Sequence, residues 1–524
     1  FKEKSSAINT VRSIAPGLQQ YPPADLLVAP YLMEEFDAEL IRTYLASLRK
    51  DNVLIMVSGP DYQGRQRERW FDVAYDLVKG EAVTADVAAA GLALPAANPF
   101  LPESIELLTD NAAKPALYSS SPGLEIYLDT DVEFGVPRAV THVSLRNPGG
   151  LIQLIDVASA QLYASLVMDD LNALGYPALL AGVSYQVSAP PKGFRISIGG
   201  YDDKQLVLLD EVLRRFLSLD VAADRFEVVK IEMLNNLDNA KLNKPYLQSY
   251  QRLQETLIDA SWTADELHGV LETMTLGQLI TWRDEILEQA SVQALMLGNV
   301  DERAAEELSS LLIKELNLVE LGIVTSQVAI VTGANSIRLD IDHDDASMVL
   351  YIQDEKDGPT DQAISALLTH LIAPGYFSAL RTEQQLGYVV SAVNTVMQER
   401  GGLSFVIQSP VASVDQLKDR TLLFLEGEVA RFAVMSQQEF EVNKGGLIAR
   451  LTQKDKNLSG RGARYWSDLD RGILSFDSLF RLADEVAKLT LADMQRAIDL
   501  ANKKLGNRYF MVYSEGKFAS LDTR

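Results

Sequence analysis

Ile364, Leu367, Leu368, Leu371 and Ile372 recur at i, i+3, i+4 spacing and predict a helix with one apolar stripe. The pattern changes after Gly387, where Tyr388 leads into the strand-like pair Val389-Val390. Ser378–Val390 therefore reads as the end of a helix, a glycine turn and the start of a strand. Gly387 is expected to take the left-handed conformation that stops many helices. Downstream, Leu403, Phe405 and Ile407 share one face of a second, alternating strand.

The same succession is written twice. Ala139–Arg146 and Met348–Gln353 read as opening strands, and Phe194–Gly199 matches Leu403–Gln408. Arg225–Lys230 (RFEVVK) resembles Glu439–Lys444 (EFEVNK), Gly182 in LLAGVSYQV matches Gly387 in QLGYVVSAV, and Thr275-Leu276 matches Thr490-Leu491. The separations are nearly constant, as loop insertions in a repeat would leave them. Two copies of one α/β unit are expected, 115–322 and 323–524. Each closes with a helix and a strand: from Leu276, after a Thr275/Gln278 capping box, with Val292–Leu297, and from Leu491 with Tyr509–Tyr513. A third closing pair is expected in front, a helix near Asp37 with strand Val53–Ser58. It has no front half, so residues 1–80 are expected to be the tail of a broken unit. Residues 81–114 are expected to be a connector, because Gly80–Pro102 is rich in Ala, Gly and Pro.

Composition narrows the function classes. The chain has 524 residues, room for two to four domains, and a formal charge of −24, which argues against a nucleic-acid partner. It has no cysteine, hence no disulfide and no thiolate metal site. That fits a bacterial periplasm or cytoplasm, with the periplasm preferred. No uninterrupted run of about 18 apolar residues suggests a membrane span. No signal-peptide pattern opens at Phe1.

Candidate chemistry centres on Arg381 and Tyr388. An always-charged guanidinium and a neutral phenol at one turn suit a peptide carbonyl that gains negative charge under attack. A salt bridge at a helix end and a core tyrosine would also explain them. The four histidines suggest little: His343 lies in an acidic run (Asp340–Asp345) read as a solvated loop, and His142 in a strand as a packed or edge residue. His370, before Pro374, and His268, before Gly269, read as helix-end residues. Ser459–Arg464 (SGRGAR) reads as a surface connection. No phosphate loop, G-x-S-x-G or dinucleotide fingerprint stands in its required context.

Leu380–Tyr388 (LRTEQQLGY) resembles the motif in the C-terminal half of insulysin/pitrilysin-type zinc metallopeptidases, the inverted-zincin M16 family. Tyr21-Pro22, Tyr31–Phe36, Asn98–Pro102, Gly200–Gln205 and Tyr465-Trp466 extend the likeness in the family's order. The resemblance implies an α+β fold of repeated LuxS/MPP-like units, with helices on one side of mainly antiparallel sheets. It implies a zinc endopeptidase that closes over peptides in a chamber, with Arg381 and Tyr388 matching the substrate-contacting pair. The family's H-x-x-E-H is absent from this chain. Zinc is therefore expected in the full-length enzyme, in an N-terminal half, and not bound here. Peptide substrates and that catalytic half, on the same polypeptide or a separate chain, are the implied partners, and a homodimer is left open. The alternative is a non-catalytic M16-fold binding or scaffold subunit.

Overall fold

The computed structural model describes residues 6–32, 35–49, 51–80, 96–109, 112, 114–147, 149–322 and 326–520. It divides into two units, Ser5–Ala97 and a larger one over Asn98–Arg524. Most of the Ala-rich part of the expected connector, 81–95, lies outside the described residues.

In the smaller unit, helix α1 spans Ala7–Ile14 and α2 spans Ala38–Ser47, the latter capped by Asp37, which accepts from Glu39 N and Leu40 N. A two-stranded ribbon pairs β1 (Gln66–Arg67) with β2 (Ala74–Tyr75). None of the described residues of this unit is buried. The strand expected at Val53–Ser58 is not formed: the segment joins no ladder, and Val53 to Val57 are 56–85% exposed. No strand lies beside it among the described residues, and a lone strand leaves its backbone unpaired. Hydrogen exchange at Val53–Ser58 is therefore expected to be fast beside the protected Leu403–Gln408. Equal protection in a monomer would mean that this unit is complete by itself.

The larger unit contains the repeat. Its first copy runs β3 (Ala116–Ser121), β4 (Leu124–Thr130), β5 (Arg138–Arg146), α3 (Leu154–Asp170), α4 (Asn172–Leu180), β6 (Val183–Ser188), β7 (Gly193–Tyr201), α5 (Gln205–Leu217), α6 (Ala223–Ala240), α7 (Pro245–Leu257), α8 (Ala264–Thr273), α9 (Leu276–Leu287), β8 (Ser291–Gly298) and α10 (Glu302–Glu315). The second runs β9 (Ala334–Arg338), β10 (Ala346–Gln353), α11 (Pro359–Phe377), β11 (Val389–Asn394), β12 (Gly402–Ser409), α12 (Val414–Val434), α13 (Gln437–Leu451), α14 (Leu458–Asp470), α15 (Ser478–Lys488), α16 (Leu491–Asn507) and β13 (Tyr509–Ser514). The sheets order as β3-β4-β8-β5-β7-β6 and β9-β13-β10-β12-β11, the same topology apart from the extra edge strand β3. Pairing is antiparallel except β4–β8 and β9–β13. This is the expected α+β architecture of repeated units.

The repeated sequence words touch one another. Lys230 Nζ donates to Met274 O at 3.2 Å, and Lys444 Nζ to Leu489 O at 3.2 Å. Those carbonyls precede the N-caps Thr275 and Thr490, both in capping boxes. Each lysine also lies over the phenylalanine of its own motif, Phe226 or Phe440, at 5.2 and 5.0 Å.

The expectation of helices on one side is corrected by α7 and α14, which the copies exchange. Leu253 and Leu257 of α7 pack with Val349, Tyr351, Val406 and Val512 on the second sheet. Leu458, Tyr465, Trp466 and Leu469 of α14 pack with Tyr127, Leu295 and Leu297 on the first. Small residues let both helices approach: Ser249 Oγ meets Ser347 Oγ at 3.0 Å, and a Cβ on Gly462 would sit 3.3 Å from Val140. The buried stripes Pro245, Ser249, Leu253, Leu257 and Leu458, Gly462, Tyr465, Trp466, Leu469 have helical spacing. That periodicity was the available sequence signal. SGRGAR is accordingly the first turn of a helix, with Asn457 as its cap, and not a surface connection.

Its arginines tie the copies together. Arg461 reaches Asp131 at 2.5 Å, Glu133 at 2.7 Å and Asp455 at 3.3 Å, and Arg464 reaches Asp455 at 2.7 Å. Asp129, 1% exposed, lies in this layer with Oδ1 unpartnered. Burial, with the Asp131 charge behind it, pushes its carboxyl up to about 7, while Arg461 and Arg464 pull the other way. A raised carboxyl pKa contributes stability below the unfolded value that is lost as pH rises through about 7. Asp129→Asn is thus expected to gain on the wild type with rising pH, by on the order of 2–4 kcal/mol between pH 4 and 8. Urea unfolding at several pH values measures this, and parallel profiles would contradict it.

Two helices bear on the sequence expectations. Pro359–Glu383 is long and apolar enough, by length and composition, to cross a membrane. Here it is a core helix, with Ala363, Leu367 and Ile372 at 0% exposure. Pro374 lies inside α11, so His370 is not at a helix end, and His268 lies within α8.

Candidate functional site

The α11 helix does not stop where its regular turns end. Ser378–Glu383 continues it as a π-helical turn, with Gln384 N–H bonded to Ala379 O at 3.1 Å and Leu386 N–H to Leu380 O at 2.9 Å. Such turns occur often at functional sites. Leu380 at 0% and Leu386 at 9% exposure pin the turn to the core. The left-handed residue is Gln385, at φ 52°, and not Gly387, which corrects the sequence expectation. Gly387 is required for a different reason: a Cβ there would lie 1.9 Å from Gln408 O. The backbone of the turn passes too close to β12 for any side chain.

This geometry brings Arg381 and Tyr388 together. The Arg381 guanidinium carbon lies 4.7 Å from the centre of the Tyr388 ring and 4.8 Å from that of Phe377. Stacking between two aromatic faces orients a guanidinium without using its hydrogen-bond donors. Arg381 makes no ion pair among the described residues, and Tyr388 is 83% exposed. The simpler reading of a core tyrosine therefore fails for Tyr388. Phe377, the third member, was missed; it lies four residues before Arg381, the spacing of neighbours on a helix face.

The histidines are scattered. His142, on the central strand β5, shares a 2.8 Å hydrogen bond with Ser197 and lies 5.0 Å from the Trp466 ring. Burial, with Arg195 added, pushes its imidazole down to about 4. His268 faces Asp238 at 3.6 Å. His343 Nδ1 accepts from Asp345 N–H within an exposed bend. Burial, then the Arg450 charge, lowers His370, which sits beside α13 near Gly446. Among the described residues, no three His, Asp or Glu side chains meet in an arrangement that could hold a metal. The residues present do not fit a zinc centre.

Comparison with known proteins adds the lineage. A family model described as the middle or third domain of peptidase M16 matches residues 1–270. The chain belongs to the M16 peptidase family. A second model, the C-terminal lobe domain 4 of PqqF-like PQQ synthase, matches residues 367–466 and so includes the turn. Human insulin-degrading enzyme is 27% identical over 507 residues, covering 91% of this chain and 49% of that protein. The Saccharomyces cerevisiae A-factor-processing enzyme is 26% identical over 522 residues, covering 94% and 50%. The chain spans about half the length of the curated relatives it matches. Among solved structures, pitrilysin superposes with a TM-score of 0.78 at 20% identity, covering 98% of this chain and 56% of pitrilysin. A Pseudomonas fluorescens structure described as a peptidase M16 inactive domain superposes at 0.58 and 16% identity, covering 76% and 97%.

Proposed function

We propose that this chain is the substrate-enclosing half of a zinc-dependent metalloendopeptidase. The observation that carries the reading is the turn in which Phe377 and Tyr388 flank Arg381 at the surface. The turn lies beside an edge strand, and among the described residues no group of metal ligands meets there. An N-terminal half bearing H-x-x-E-H, on the same polypeptide or a partner chain, supplies zinc, which activates water when bound. On this side the Arg381 fork holds a substrate carbonyl through charge-assisted hydrogen bonds. The Tyr388 hydroxyl donates to the oxygen that becomes negatively charged as the carbonyl is attacked. Oligopeptides are the substrates.

The purified chain is expected to bind no stoichiometric zinc at micromolar concentration and to cleave no peptide. Elemental analysis and a fluorogenic peptide assay measure both. One-to-one zinc lost on substitution of His142 or His343 would overturn the division of labour.

A second reading, a non-catalytic binding or scaffold subunit, draws support from the likeness to the inactive-domain structure. An upstream in-frame H-x-x-E-H in the coding sequence favours the first reading. A start codon near Phe1, with no neighbouring motif-bearing gene, favours the second.

A further inference from the structure

The two copies close the turn before β6 and before β11 with different bonds. In the first copy the chain leaves α4 through Gly182, at φ 73°, and Gly182 O accepts from Tyr201 N–H at 3.3 Å. Gly200 lies against that turn, where a Cβ would sit 2.1 Å from Gly182 O. A main-chain bond closes the first turn, and no side chain has room to take part.

Laying Phe194–Gly199 on Leu403–Gln408 puts Ser409 on Gly200 and Pro410 on Tyr201. Proline has no N–H, so the bond that closes the first turn cannot form in the second. The Ser409 side chain supplies another. Ser409 is 0% exposed, and its hydroxyl donates to Leu386 O. The same oxygen accepts from Val411 N–H at 3.2 Å and from Ala412 N–H at 3.0 Å. A hydroxyl has one proton and two lone pairs. The two amides occupy the lone pairs, which leaves the proton for Leu386.

Leu386 is thus bonded on both sides. Its N–H goes to Leu380 O within the π-helical turn, and its carbonyl to Ser409 at the end of β12. It lies five residues after Arg381 and two before Tyr388. With its ring 83% exposed, Tyr388 takes its position from the main chain that leads to it.

We propose that Ser409 is a positioning residue for Arg381 and Tyr388. Its hydroxyl fixes the π-helical turn on β12 and so sets where the guanidinium and the phenol stand, without touching substrate itself. This rests on the function proposed above and names what holds that site in register.

The first measurement uses this chain alone. The Phe377 and Tyr388 rings, at 4.8 and 4.7 Å, displace the Arg381 side-chain NMR signals, which Arg381→Lys assigns. Ser409→Ala is expected to remove most of that displacement. If Ser409→Ala does not fold, Ser409→Cys decides, since it keeps the shape with a weaker donor. The second measurement uses the assembled enzyme and one fluorogenic peptide. Ser409→Ala is expected to lower kcat/KM about tenfold or more, because small displacements are costly to an aligned site. On an Arg381→Ala/Tyr388→Phe background it is expected to cost less than about twofold, because the groups it positions are gone. A general loss of folded protein would cost the same on both backgrounds.

Arg381 signals that stay in place when the Ser409 hydroxyl is removed, or an equal loss of kcat/KM on both backgrounds, would overturn the inference and leave the proposed function standing. If Arg381→Ala/Tyr388→Phe itself keeps wild-type kcat/KM, the proposed function falls and the inference falls with it.

Discussion

Tyr388→Phe is expected to lower kcat of the assembled enzyme by ~10²–10³-fold, roughly 3–4 kcal/mol, with KM little changed. The substitution removes one hydroxyl and keeps the ring. The stack with Arg381 at 4.7 Å therefore survives, and Tyr388, 83% exposed, fills no core. A donor to a developing oxyanion acts more strongly in the transition state than in the ground state, so its loss falls on kcat. Arg381→Ala should behave differently. It deletes a charged fork that holds a carbonyl in both states, so KM rises as well. Zinc content should be unchanged in both variants. Steady-state kinetics on one fluorogenic peptide separates the cases. Wild-type kcat/KM in Tyr388→Phe would leave the hydroxyl without a catalytic role.

Arg461→Ala is expected to destabilise the chain by about 3–5 kcal/mol, the usual consequence of removing one partner from a buried ion pair. Asp131 is 4% exposed, and its carboxylate would lose the guanidinium at 2.5 Å while Asp129 and Asp455 remain close by. The effect belongs to the exchange of α14 onto the first sheet, because Arg461 joins residues of both copies. Asp131→Asn on the Arg461→Ala background should recover part of the loss, since the stranded charge goes with it. Urea unfolding measures both. A loss below about 1 kcal/mol, the value of an exposed pair, would mean that this network does not hold the two copies together.

The parts legible in the sequence were those written in local periodicity. Leu403, Phe405 and Ile407 share one core face, as their spacing required, and Thr275 and Thr490 cap their helices. The repeat was legible because the phenylalanine-to-lysine words must meet the same helix start twice. What misled was punctuation and tertiary choice. Pro374 lies inside α11, where packing outweighs the lost hydrogen bond, so His370, four residues before it, stands in mid-helix and not at a helix end. Gly387 was read through its freedom at positive φ, whereas its need is space against Gln408 O. Val53–Ser58 has strand composition but no partner to pair with among the described residues. For the candidate site, the spacing of Arg381 and Tyr388 was readable. The π-helical turn that stacks them, and the contribution of Phe377, depend on backbone geometry that residue types do not encode.

The most direct measurement is peptide hydrolysis by the proposed H-x-x-E-H-bearing half, assayed alone and with this chain added. If this chain is the wall that holds and orients substrate, cleavage should appear only with both halves present, and should fall on adding back Tyr388→Phe instead of the wild type. Equal cleavage by the zinc-bearing half alone, or hydrolysis by this chain without it, would contradict the account.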